Sequence, residues 1–331
     1  MSKRTGQQGF TLIEMITVIT LISILSAAVW VFIRLPMNNY IESIRHAEYT
    51  DAEDTVFRWL ERDLQLALPN SVRVRTDQYG NFYLEFLMTR DGGRYDEKQW
   101  DYPDFTDLTK TCLKQPSCKI NVSGNGVKAA LTDFVVVYNL GSPGFDAYED
   151  NSTADPAGIF PRNRFKIKSL PSLVAGTTDR YNQIEIENLY KTYDAGAGVF
   201  KEEGIQSDIV NSPIYHFHVV MYPVTYKIDF KRHEVRRFWN YKIQPIQPAA
   251  PTFDFYNAAN YNDNQVHSAR VATDIYDLNE TSSNGSFRHF RMIDNRSEML
   301  SVRLYFQKNS YILHNNQQLT IYREFFLPVN P

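Results

Sequence analysis

The feature that most constrains this chain is an apolar run of 24 residues close to its N-terminus, from Phe10 to Ile33. As an α-helix that rises about 1.5 Å per residue, the run can cross the hydrocarbon core of a bilayer, which is about 30 Å thick. A short polar segment with Lys3 and Arg4 precedes the run. Positive charges beside a membrane helix favour the cytoplasmic side, so we expect one span with the bulk of the chain beyond the membrane.

A single carboxylate interrupts the apolar run. Glu14 lies four residues after Phe10, and an unpaired carboxylate inside a membrane costs about 2.5 to 3.5 kcal/mol on insertion scales. Cleavage of the chain between Gly9 and Phe10 would create an α-amino group near the depth of Glu14, and a neighbouring subunit could offer the same pair. Charge complementarity between staggered helices would then favour assembly.

An ordinary secretory signal is the alternative interpretation of this N-terminus. Its small-residue cleavage site would be Ser26-Ala27-Ala28. The acidic residue inside the apolar region argues against it, and so does the position of the positive charges, which end before Gly9.

Helical periodicity continues beyond the apolar run and predicts an amphipathic stem over residues 34–68. Pro36 removes one backbone donor and predicts a kink or an interruption. Pro69 biases Leu68 away from helical geometry, so we expect the helix to end near Leu68. The alternative is the anchor of a tethered periplasmic enzyme. Apolar residues recur at helical spacing at Ile41, Ile44, Ala52, Val56, Leu60, Leu64 and Leu68, whereas Asp54, Arg58 and Arg62 follow an exposed face.

The sequence pattern of residues 69–331 predicts a β-rich head. The 21 Tyr and 21 Phe of the chain often alternate with Val and Ile, a pattern typical of pleated sheet. We expect a break at Gly92-Gly93, a hairpin turn at Phe230–His233, and loop-rich insertions over 141–212 and 245–297. The predicted class is α+β, a long helix packed on a mainly antiparallel sheet. The expected strands are 71–76, 81–89, 134–138, 164–167, 183–186, 215–221, 224–229, 234–241, 300–307 and 318–327.

The two cysteines, Cys112 and Cys118, are separated by five residues in a polar, turn-rich stretch. In an exported protein this spacing predicts a small disulfide loop, with two free thiols as the alternative. A metal site would need further ligands that the stretch lacks.

The segment Gly9-Phe10-Thr11-Leu12-Ile13-Glu14 resembles the class III signal of type IV pilins and pseudopilins. The resemblance implies a pilin fold, cleavage after Gly9 by a prepilin peptidase, N-methylation of Phe10, and a role for Glu14 in subunit registration. It also implies an inner-membrane precursor with a periplasmic head that later joins a pilus. The implied partners are the peptidase, other minor and major pilins, and the inner-membrane assembly platform.

Three further blocks are similar to minor pilins of the MSHA pilus: 66–74, the stretch from Pro223 through Val235 to Pro245, and the closing strand pair. This similarity implies a minor pilin that starts assembly near the tip. The long insertions over 141–212 and 250–297 depart from that pattern. A minor pseudopilin of type II secretion and a tip adhesin that uses these insertions remain the alternatives.

Other chemistry has weaker signals. His216 and His218 share one face of a strand, but no third metal ligand is anchored by pattern. The chain has no nucleophile elbow and no Gly-rich phosphate loop, so we expect neither an enzyme nor a cofactor. An acidic loop offers oxygen ligands for calcium without the EF-hand order: Asp146, Glu149, Asp150 and Asp155.

A basic cluster at one turn raises the question of DNA capture. The net charge of −3 gives no general attraction to nucleic acid, and no aromatic platform can be placed beside the cluster. A solvated turn is the expected interpretation, and no nucleic-acid partner is expected. The residues are Lys231, Arg232, His233, Arg236 and Arg237.

Overall fold

A single long helix, α1 (Leu12–Gln65), begins the fold in the computed structural model of this chain. The chain divides into two compact units, residues 1–51 with 309–317, and residues 52–308 with 318–331. The structure describes residues 10–77, 80–95, 117–142, 145–149, 163–187, 189–194, 199–204, 212–247, 266–273, 275, 287–291, 298–308 and 317–327.

Strands make up the remaining regular structure of the described residues. They are β1 (Arg73–Thr76), β2 (Phe82–Tyr95), β3 (Ser117–Ser123), β4 (Val127–Lys128), β5 (Phe134–Val137), β6 (Arg164–Leu173), β7 (Arg180–Glu187), β8 (Leu189–Asp194), β9 (Val199–Gly204), β10 (His216–Asp229), β11 (Glu234–Trp239), β12 (His267–Thr273), β13 (Phe287–Arg291), β14 (Glu298–Lys308) and β15 (Gln317–Leu327).

The last turns of α1 pack on the sheet within the second unit. Val56, Phe57, Leu60 and Leu64 are buried, as their helical spacing predicts. The ring of Phe57 lies 5.9 Å from that of Phe325 in β15. This packing of the helix on a mainly antiparallel sheet confirms the predicted α+β class.

The chain leaves α1 by joining the sheet directly. The helix ends at Gln65, and Ala67 forms an isolated bridge with Met88. The N–H of Leu68 donates to the carbonyl of Leu87 at 2.8 Å. Backbone pairing therefore replaces helical bonding before the predicted end near Leu68. Pro36, in contrast, lies inside the continuous helix.

The largest sheet has ten strands in the described part of the chain and contains a closed ring. Its order is β1-β2-β3-β7-β6-β5-β10-β11-β12, with β4 beside β7 and an additional pairing between β2 and β10. That pairing closes β2, β3, β7, β6, β5 and β10 on one another, and every pair is antiparallel. Closure leaves these stretches without an open edge, as in a small barrel.

Alternate residues of the six strands fill the interior of this barrel. The inward positions form one buried apolar cluster, as period-two alternation requires. The six strands contribute Tyr95, Ile120, Val122, Val135, Val137, Phe165, Ile167, Ile184, Ile186, Phe217 and Val219, and Val127 of β4 and Ala129 complete the cluster. The barrel therefore has a packed core of its own.

The strands β2 and β10 each have 14 residues, and each belongs both to the barrel and to the part of the sheet beside β1 and β11. Their ends at Arg94 and His216 lie in the barrel, whereas Phe82 and Ile228 pair beside β1 and β11. The register between the two strands shifts twice, between Val219 and Tyr222, where the chain passes from one structure to the other. Bulges of this kind bend a strand and increase its twist.

The predicted break at Gly92-Gly93 is wrong, because both glycines lie inside β2. A Cβ atom on Gly93 would come within 2.6 Å of Val127 and 3.0 Å of the Phe217 ring. The glycine is required by the close packing of the barrel interior, and it does not mark a turn.

The two separate strands expected at 215–221 and 224–229 form one strand, β10, that contains Pro223. Pairing with β5 ends at Val220, and pairing with β11 begins at Val224. Pro223 lies between these stretches, where one edge of β10 needs no N–H donor.

The expectation that much of 141–212 forms a surface insertion is wrong for residues 163–187, whereas the strands expected at 164–167 and 183–186 are confirmed within β6 and β7. Residues 163–187 supply β6 and β7, whose Phe165, Ile167, Ile184 and Ile186 are buried in the barrel. The second loop-rich stretch likewise contributes β12 and β13. The hairpin at 230–233 is confirmed, with His233 at a φ of 54°.

Candidate functional site

The N-terminus of α1 forms a reciprocal cap between Thr11 and Glu14. The N–H of Thr11 donates to Oε2 of Glu14 at 3.1 Å, and the N–H of Glu14 donates to Oγ1 of Thr11 at 3.4 Å. The Thr11 hydroxyl also lies 3.1 Å from Oε2 of Glu14. This is the capping-box arrangement, which satisfies two of the free backbone donors at a helix start. The carboxylate of Glu14 is thereby held at the positive end of the helix.

The first turns of α1 present a mainly apolar surface, and their few polar side chains bond within the helix. Glu14 is the single ionisable side chain between Phe10 and Ile33. The hydroxyls of Thr17, Thr20 and Ser23 donate to carbonyls of the same helix at 2.7–3.0 Å, so they need no partner in lipid.

Among the described residues, α1 is the one helix long and apolar enough to cross a membrane. Its large apolar side chains are exposed: Leu12, Ile13, Ile16, Ile19, Leu21, Ile22, Ile24, Leu25, Val29, Trp30, Val31, Phe32 and Ile33. A fully exposed apolar helix of this length fits a single-pass membrane anchor.

The residues predicted to act at the N-terminus lie at the edge of the described chain. Phe10 is 81% exposed, and Gly9 lies outside the described residues. The cleavage after Gly9 and the methylation of Phe10 stay predictions. The disulfide also stays a prediction, because Cys112 lies outside the described residues and only the backbone of Cys118, within β3, is placed.

A buried ion pair that the sequence analysis missed joins α1 to β11. Nε of Arg237 donates to Oδ2 of Asp63 at 2.6 Å, and the hydroxyl of Tyr226 donates to the same oxygen at 2.8 Å. Both charged side chains are at most 8% exposed. Burial, followed by the neighbouring carboxylate of Asp63, raises the pKa of Tyr226. The position of Asp63 between Leu60 and Leu64 was the available signal, because it places a carboxylate beside the apolar face.

A second missed ion pair joins β1 to β2. Nη2 of Arg73 donates to Oε1 of Glu85 at 2.8 Å, and Glu85 is fully buried. The guanidinium also stacks on the Tyr148 ring at 3.5 Å and donates to the carbonyls of Gln244 and Pro245. Burial raises the pKa of Glu85 to about 7, although Arg73 acts in the opposite direction. The pair fixes the segment after β11 against the sheet.

The candidate chemical groups of the head do not converge on a reactive centre in the described part of the chain. No group of three or more His, Cys, Asp or Glu side chains there is arranged to hold a metal ion. Burial, with a smaller effect of His216, lowers the pKa of His218 to about 4. Of the proposed calcium loop, Asp150 and Asp155 lie outside the described residues.

The basic cluster at the β10–β11 turn is divided by its ion pairs. Arg237 is buried against Asp63, and Arg236 binds Glu234 at 2.9 Å. Lys231 and Arg232 are exposed at the turn. The cluster is therefore smaller as a cationic surface than its sequence suggests.

Comparison with protein families finds the prokaryotic N-terminal methylation motif at residues 4–30. This match begins six residues before Phe10 and covers most of the apolar run, and it supports a type IV pilin or pseudopilin that is processed by prepilin peptidase. No curated protein and no solved structure matches the chain.

Proposed function

We propose that this chain is a minor pilin, similar to the MshO-type minor pilins of the MSHA pilus, that starts filament assembly at or near the tip. Residues 1–9 form the leader, 10–33 the membrane span, 34–68 the stem and 69–331 the head. The precursor lies in the inner membrane with its head in the periplasm. Prepilin peptidase cuts after Gly9, Phe10 is N-methylated, and Glu14 sets the register against neighbouring subunits.

The observation that carries this proposal is the methylation motif at the start of an exposed apolar helix whose last turns pack on a sheet. The capped carboxylate of Glu14 has a function in that setting. Thr11 satisfies it in the isolated chain, and the new α-amino group of a neighbouring subunit can replace that cap during assembly. An oppositely charged partner is worth more to a carboxylate in lipid than a hydroxyl is.

The size of the head supports a low-copy subunit. Its sheet carries an added barrel with a separate core, more structure than a repeating filament subunit needs. Such a head fits at the end of a filament, where one side is free of neighbours.

Mass spectrometry of the mature N-terminus tests the proposal directly. The protein is purified from membranes or from sheared filaments, and its first residue is identified. We expect N-methylated Phe10. A chain that begins after Ala28, or an uncut Met1, would contradict the pilin class.

Gene deletion separates the pilus assignment from a minor pseudopilin of type II secretion. Loss of surface filaments with normal secretion supports the minor pilin. Loss of secreted proteins with normal filaments supports the pseudopilin. Deletion of 250–264, which leaves β12 and β13 in the chain, tests the tip-adhesin alternative, which requires lost attachment with filaments retained.

A further inference from the structure

A polar cleft lies on the outer wall of the barrel, where β3, β7 and β6 run side by side. It has a volume of about 500 Å³, within the range of about 300 to 1,000 Å³ typical of small-molecule sites. Its lining consists of neutral groups: Asn121, Val122, Ser123, Gly124, Ser172, Asn182 and Gln183.

Two of the three register shifts in the β6–β7 ladder adjoin Ser172, which lines this cleft. The register shifts between Ser169 and Ser172, and again between Ser172 and Leu173. Ser172 pairs with Gln183 and Leu173 pairs with Tyr181, so Asn182 is an extra residue of β7 between these pairs, and both Asn182 and Gln183 line the cleft. Bulges re-aim side chains in this way and are common beside binding sites.

The polar groups of the cleft are arranged for a ligand with many hydroxyls. Nε2 of Gln183 donates to Oδ1 of Asn121 at 2.7 Å, which orients both amides. The side chains of Ser172 and Asn182 make no hydrogen bond to any other described residue. Amides and hydroxyls both donate and accept, as sugar hydroxyls do.

Two residues farther along β7, the polar side chains around Glu185 are bonded to one another. Oε1 of Glu185 accepts bonds from Ser117 and Lys168, and its Oε2 accepts a bond from Ser169. These bonds, that from Lys168 first, lower the pKa of Glu185 to about 2. These groups satisfy one another, whereas the cleft keeps donors and acceptors for a ligand.

We propose that this cleft binds an uncharged saccharide. The lining carries no cation to attract a phosphate or a carboxylate, and too little apolar surface for a lipid chain. Addition of a peptide strand is excluded at this wall, because β7 is already paired with β3 and β6. The cleft gives the head a recognition function separate from filament assembly.

Saturation-transfer NMR on the full-length processed chain tests this inference. The detergent is dodecylphosphocholine, since alkyl maltosides would compete for the cleft. The neutral probes are lactose, maltotriose and cellotriose, and 3′-sialyllactose is the charged probe. We expect transfer to at least one neutral probe, and Asn182→Ala should weaken that binding about 5- to 10-fold.

Matched variants complete the test. Ser172→Trp fills the cleft and should abolish the transfer. Gln65→Ala, on the exposed face of α1, should leave it unchanged. Three outcomes would overturn the inference. The first is no transfer to any neutral probe, and the second is transfer in Asn182→Ala and Ser172→Trp equal to that in the unmodified protein. The third is binding of 3′-sialyllactose alone. The mature N-terminus is measured separately, so failure here leaves the pilin assignment intact.

Discussion

Arg237 and Asp63 form a buried ion pair between residues that are 174 positions apart in the chain. The pair ties the last turn of α1 to β11, and Tyr226 of β10 joins it through its hydroxyl. Three elements therefore share one carboxylate, and the place where the helix meets the sheet is fixed by polar geometry as well as by apolar packing.

Removal of one partner of this pair should destabilise the head strongly. Asp63→Ala leaves the guanidinium of Arg237 buried without a counter-charge, and such changes cost about 3 to 5 kcal/mol. Urea unfolding followed by tryptophan fluorescence measures the change. The double variant Asp63→Leu with Arg237→Met should recover part of the loss, because no unpaired charge remains.

The control for this prediction is Asp54→Ala. Asp54 pairs with Arg58 at 3.2 Å, but its side chain is 51% exposed, so the expected cost is within about 0.5 kcal/mol. Equal effects of Asp54→Ala and Asp63→Ala would show that burial of the Asp63–Arg237 pair has no energetic consequence.

Glu85 should make the head less stable as the pH rises from 5 to 8. Its pKa in the folded state, about 7, lies above the usual 4.5. Its contribution to stability is complete below the unfolded-state pKa and is lost as the pH passes through about 7. The loss of stability amounts to ~3 kcal/mol between a pH well below 4.5 and a pH well above 7. Urea unfolding at pH 5 and pH 8 measures it against Glu85→Gln, which should remove this dependence.

Glu185→Gln is the matched control in the pH series. The pKa of Glu185 is lowered to about 2, so this group does not titrate between pH 5 and 8. The control should retain the pH dependence of the unmodified protein. A Glu85-dependent gain in stability towards pH 8 would mean that the attraction of Arg73 outweighs burial.

Glu14→Ala should leave cleavage intact and impair incorporation into filaments, because only the pairing charge is lost. Immunoblots of membrane and sheared-filament fractions measure both steps. Glu42→Ala, farther along α1, should be incorporated normally. Normal incorporation of Glu14→Ala would give this carboxylate another purpose.

Cys112 and Cys118 should resist alkylation until the protein is reduced. Mass spectrometry with and without reductant detects the difference. Cys112→Ser should then lower the stability by at most about 2 to 3 kcal/mol, because the closed loop is short. The double variant with Cys118→Ser should match the single one. Alkylation of both thiols without reductant would show that the loop is open.

The parts of the fold that depend on neighbours in sequence could be predicted. Helical spacing of Val56, Leu60 and Leu64 predicted the buried face of α1. The apolar run at 134–138 and the strand expected at 234–241 located β5 and β11 closely. These patterns can be found in sequence because each depends on residues within a few positions of one another.

The barrel could not be predicted, because its constraints come from distant residues. Gly93 has the local character of a break, yet Phe217 of another strand requires it. Pro223 has the local character of a strand end. It lies inside β10 because the pairing with β5 ends before it and the pairing with β11 begins after it, so no N–H donor is needed on that edge. The two ion pairs and the polar cleft likewise need partners that only the folded chain brings together.

The sharing of β2 and β10 between sheet and barrel has a mechanical consequence. A load applied to the barrel reaches the sheet along two antiparallel strands whose hydrogen bonds lie across the direction of pull. Bonds loaded in this way resist together and do not open one after another. Within the second unit, tension on the outer wall of the barrel can thus reach the sheet and the last turns of α1 that pack on it.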